Sequence, residues 1–137
     1  MQHVALRCCM LHFEFMPAAY LEGIRLFNAG HYWHAHEEWE ACWLESEGEE
    51  ALFFKAIIQA AAALVKWRQG NLRGLQLNWA KSRARLVSLP DQAHGLDLAA
   101  LRATMDRLVA GEPVAPPILA LSPAATSVRP RLLPDPK

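Results

Sequence analysis

The sequence predicts an all-α fold, a small up-and-down bundle of about five helices with an irregular Pro-rich C-terminal tail. Three observations carry this expectation. Apolar residues recur at helical spacing in successive segments, and Gly30, Gly48, Gly70-Asn71, Pro90 and Gly111 punctuate them. One segment is apolar most of the way round, as the central helix of a bundle must be. A chain of 137 residues, 53% of them hydrophobic, is long enough for one domain with a genuine core.

The first regular pattern places Tyr20, Ile24 and Phe27 at i, i+4 and i+7, after Pro17 and before a stop at Asn28 and Gly30. The domain is therefore expected over residues 16–121. Residues 1–15 read as an N-terminal extension or an upstream start site. A second helix spans about residues 32–45. The third, about residues 49–69, carries Phe53, Phe54, Ile57, Ile58, Leu64 and Val65 on one face and a line of alanines with Trp67 on the other. The alanines allow neighbours to approach closely.

Gly70-Asn71 makes a tight turn into a fourth helix over residues 72–88, with Leu72, Leu75, Trp79 and Leu86 on its core side and Lys81, Arg83 and Arg85 opposite. Asp97 caps a fifth helix that holds Leu98, Leu101, Met105 and Leu108 and stops at Gly111. Seven prolines follow from there to the end. Residues 114–121 are apolar enough to lie extended on the bundle, whereas residues 122–137 read as disordered.

Fourteen basic and fourteen acidic residues give zero net charge, so no nucleic-acid partner is expected and the basic side of the fourth helix reads as a solvated face. No apolar run is long enough for a membrane span. Three cysteines, Cys8, Cys9 and Cys42, do not form a disulfide framework, and a reduced, cytoplasmic setting is expected. Residues 1–15 make a poor signal peptide. A homo-oligomer is compatible with all of this.

The stretch over residues 27–43, FNAGHYWHAHEEWEACW, says more than the rest. It holds three tryptophans, three histidines and three glutamates. With successive residues turned by roughly 100° and Trp33 taken as zero, His36 falls near 300°, Glu40 near 340° and Trp43 near 280°, all approximate. The expectation is an aromatic stripe of Trp33 and Trp43 that buries the His36–Glu40 pair, with Cys42 on the far side and unable to form a Cys–His dyad.

Buried ionisable groups need a partner. Three uses of the pair stay open: a hydrogen-bonded structural pair that fixes helix register, a divalent-metal site, or a small-ligand or catalytic site. H-E-x-x-E offers His36 and Glu40 as ligands for zinc, iron or manganese, with Glu37 as a further ligand or a general base and Gln59 as a further donor. His94 is the remaining candidate donor. No second His/Glu motif is present, which argues against a symmetric di-metal bundle.

The residues Phe27-Asn28-x-Gly30-x-Tyr32-Trp33-x-x-His36-Glu37-x-x-Glu40-x-x-Trp43 resemble the signature of DUF309, a bacterial and archaeal family of unknown function. The likeness continues through Ala56-Ile57-Ile58-Gln59-x-Ala61-Ala62 and Gly70-Asn71, and covers about residues 16–121. It implies a small all-α bundle and a metal-binding role for the H-x-x-x-E-x-x-W/Y element, here His36, Glu40 and Trp43. The functional expectation is a divalent-metal site on His36 and Glu40. The alternatives are a helical interaction module with a purely structural His36–Glu40–Trp43 cluster, contacting partners through Trp67 and Trp79 or the basic face, and a metal-dependent hydrolase with Glu37 as base.

Overall fold

Five α-helices and one minimal hairpin make up the described part of the chain, in the order α1 (Ala18–Asn28), α2 (Tyr32–Leu44), α3 (Gly48–Arg68), α4 (Leu72–Leu86), β1 (Gln92–Ala93), β2 (Leu96–Asp97) and α5 (Leu98–Val109). The computed structural model describes Phe13 and residues 16–122. The expected extension, apart from Phe13, and the expected tail from residue 123 on lie outside the described residues. Phe13 is buried against Tyr20, Phe54 and His94, so the core reaches beyond the expected boundary at Met16.

The all-α expectation holds, with α3 at the centre. Nine of its residues are buried, because it packs against α2 on one flank and α4 on the other. Its alanines work as expected: Ala56, Ala60, Ala61 and Ala63 are buried, and Ser82 of α4 comes close enough for its hydroxyl to donate to the Ala56 carbonyl at 2.7 Å. The last carbonyls of α1, α3 and α5 are closed by the turns at Ala29, Gln69 and Ala110, each followed by a glycine at positive φ. Asn71 and Asp97 cap α4 and α5 by accepting from the N–H groups of Gly74 and Ala100.

Two local features differ from expectation. Leu72 is exposed, because α4 turns Leu75, Trp79, Ser82 and Leu86 inward and leaves its first residue outside that arc. The segment before α5 is a two-residue hairpin whose central residues, His94 and Gly95, both have positive φ, the geometry of a tight primed turn. His94 is thereby buried, stacked on Phe13 at 3.6 Å and set edge-on to Phe53.

The extended segment after α5 does lie on the bundle. The Asn28 side-chain amide donates to the Leu119 carbonyl at 2.8 Å and accepts from the Leu119 N–H at 2.7 Å, and the Leu119 side chain is buried.

Candidate functional site

The helix α2 that carries the motif turns a different face inward from the one expected. Tyr32, Ala35, Trp39 and Cys42 are its buried residues, at i, i+3, i+7 and i+10. Trp39 has no exposure at all, and its indole N–H donates to the Tyr20 carbonyl at 3.1 Å. The opposing residue on α1 is Gly23, where any β-carbon would overlap the Trp39 ring. Trp33, by contrast, is 52% exposed.

The expected burial of His36 and Glu40 is therefore corrected: both are half-buried, on the edge of α2 beside the inward arc. The physical reason is that the segment holds two aromatic arcs. The larger apolar contact available to Trp39 over a glycine outweighs that of Trp33.

At this edge the His36 imidazole stacks on the Trp33 indole, with centroids 4.8 Å apart and planes 9° from parallel. The His36 Nδ1 is covered and has no hydrogen-bond partner. Glu40 takes part in no hydrogen bond or ion pair among the described residues. The two do not bond to each other, which removes the hydrogen-bonded structural pair. Trp43 is half-buried beneath the Lys55 ammonium, 4.5 Å from its ring centroid, a cation–π contact that joins α2 to α3.

The supporting donors are not gathered here. Glu37 is exposed and faces His34, 3.4 Å from its Nδ1. The Gln59 carbonyl oxygen accepts from Arg85 at 3.1 Å, on the α4 side of α3. His94 sits in the aromatic core with Phe13 and Phe53. Among the described residues no group of three or more His, Cys, Asp or Glu side chains converges as a metal would require. The hydrolase expectation thus has no third ligand to stand on.

Cys42 is buried, and its thiol is pushed up to about 11, first by burial and then by the carboxylates of Glu38, Glu45 and Glu50. It is no nucleophile at neutral pH. Of the expected contact surface at Trp67 and Trp79, Trp67 is half-buried. Trp79 is buried and donates to Asp106 at 2.8 Å, and Arg83 forms a two-pronged ion pair with the same carboxylate.

A shallow depression of about 290 Å³ lies beside Trp33, between the start of α2 and the end of α3. Arg68 forms part of its wall, lying 5.1 Å above the Tyr32 ring and donating to the Gly30 carbonyl at 3.1 Å. Gly30 has φ +85, and its bare α-carbon leaves room for that guanidinium. Sequence reasoning had no means of pairing residues 38 positions apart.

A family model described as a domain of unknown function, DUF309, matches residues 20–77. Among solved structures, the chain is similar to a conserved hypothetical protein from Thermus thermophilus, at 37% identity and a TM-score of 0.60. The match covers 69% of this chain and 99% of the other. No curated protein matches the chain. No helix among the described residues is long and apolar enough to cross a membrane.

Proposed function

The chain belongs to the DUF309 family, and from that premise we propose that it is a cytoplasmic binding protein whose binding element is the outer edge of α2, where His36 and Glu40 hold a divalent metal ion. One observation carries this reading. Two good ligands one helical turn apart are both half-buried, and neither is spent on another group of the protein, with the His36 Nδ1 shielded and without a partner. A covered polar atom without a partner costs stability, and so calls for a reason.

The donor set fits zinc, iron or manganese, all of which accept imidazole and carboxylate. Two protein donors leave the remaining positions of the ion to water or to donors from a ligand, unlike a closed structural site. Bound there, the ion would supply Lewis acidity. The Trp33 ring stacked on the imidazole fixes its orientation, which otherwise falls to a hydrogen bond.

Elemental analysis of protein purified without a metal-affinity tag tests this. Metal in stoichiometric amount, lost in His36→Ala and in Glu40→Ala with the fold intact, is the expected result. Unchanged metal content in both variants, or none in the native protein after titration with zinc, iron(II) and manganese, contradicts it.

A second reading, an interaction module, is favoured by the exposure of Trp33 and of Leu44 (73%) on this helix. Native and Trp33→Ala protein used as bait against a partner identified by cross-linking distinguishes it. Loss of capture in Trp33→Ala alone supports it, and equal capture by both sinks it.

A further inference from the structure

Zero net charge conceals a sharp division. Between residues 16 and 50 there are eight carboxylates and a single basic residue, Arg25; between residues 51 and 90 there are seven basic residues and no carboxylate. Lys55 and Arg68 of α3 lie against α2, but the outer faces of α2 and α4 are kept apart, because these helices pack on different flanks of α3. Among the described residues the only ion pair that reaches into the basic stretch is Arg83 with Asp106. Arg73 and Lys81 stand exposed on the outside of α4, and Glu45 and Glu47 stand exposed where α2 passes into α3.

Each flank also has an exposed apolar centre. On α4, Leu77 is 50% exposed, with Ala80 and Ala84 exposed at i+3 and i+7, bordered by Arg73 and Lys81. On α2, Leu44 and Ala41 are exposed at i and i−3, bordered by Glu37 and Glu45. Short side chains at the centre let a second helix approach, and the charged borders are of opposite sign on the two flanks.

We propose that the α4 flank of one copy of this chain docks on the α2 flank of another, Leu77 meeting Leu44 and the basic border meeting the acidic one. A second copy is favoured over a nucleic acid by the same geometry. A long polyanion would find on α4 only Arg73 and Lys81 not already engaged, since Arg83 is paired with Asp106 and Arg85 is bonded to Gln59. It would also leave the apolar centre uncovered. The contact is heterologous, so it extends or closes by repetition.

Sedimentation of the full chain at ~0.01 M and ~1 M salt, where the screening length falls from about 30 to about 3 Å, reads the contact directly. The native chain should sediment above monomer mass at low salt and as monomer at high salt. Arg73→Glu/Lys81→Glu and Glu45→Lys/Glu47→Lys, each checked for native helix content, should each be monomeric at low salt, and their equimolar mixture should regain the higher mass. A native chain that is monomeric at both salts, or a mixture that stays monomeric, overturns the proposal. So does a single-stranded oligonucleotide bound by the monomeric native chain and not by Arg73→Glu/Lys81→Glu. None of these substitutions touches His36 or Glu40, so the outcome is separate from that of the metal site.

Discussion

The Trp39 indole lies flat against the bare α-carbon of Gly23, and its N–H donates to the carbonyl of Tyr20 one turn earlier in α1. This contact sets how α2 is rotated, and the rotation decides what happens to the rest of the motif. With Trp39 inward, His36 and Glu40 come to the edge and Trp33 comes out.

Gly23→Ala should therefore destabilise the protein, although alanine favours a helix by up to about 1 kcal/mol over glycine. Overpacking against the indole costs about 1–3 kcal/mol, and chemical denaturation should show a net loss. A gain in stability would mean that α1 and α2 are further apart than described.

Asn28 holds the extended segment through both the carbonyl and the N–H of Leu119. Asn28→Ala should cost about 1–2 kcal/mol and speed hydrogen exchange at the Leu119 N–H, with α3 amides unaffected in local exchange. Unchanged exchange at Leu119 would show that the side chain is not what ties the segment down.

Asp106 accepts from Arg83 and from Trp79, and Arg83 foremost holds its carboxyl below the ordinary value of 3.8. The folded state thus binds fewer protons than the unfolded one, so this contribution is complete above about pH 4 and fades as acidity rises through the lowered value. Because both partners are part-exposed, the effect is under about 1 kcal/mol. Asp106→Asn should flatten the stability profile below pH 4, measured by denaturation at several pH values; an unaltered acid limb would contradict the assignment.

The Cys42 thiol, raised to about 11, is only about 0.1% thiolate at pH 8. Alkylation at that pH should be far slower than for a free thiol and should accelerate only on unfolding. Prompt labelling of the native chain at this position would show that the cysteine is not buried.

Much of the fold was legible because helical spacing and stop residues are local. The apolar girdle of α3, the Asp97 cap and the Gly70-Asn71 turn follow from neighbours in sequence. The face of α2 was not legible, since two aromatic arcs compete in one helix and only a glycine in another helix decides between them. Gln59 failed as a partner for His36 for the same reason: its contact is with Arg85, 26 residues away. The charge division between residues 16–50 and 51–90 was open to inspection, but summing over the whole chain cancelled it.

The central claim is that α2 is held by Trp39 while His36 and Glu40 are free to bind. Denaturant unfolding of three single variants without added metal tests it most directly. Trp39→Ala should lose about 3–5 kcal/mol, whereas His36→Ala and Glu40→Ala should each lose less than about 1 kcal/mol. A loss of about 3–5 kcal/mol in either of the latter two, as for one member of a buried pair, would contradict the account.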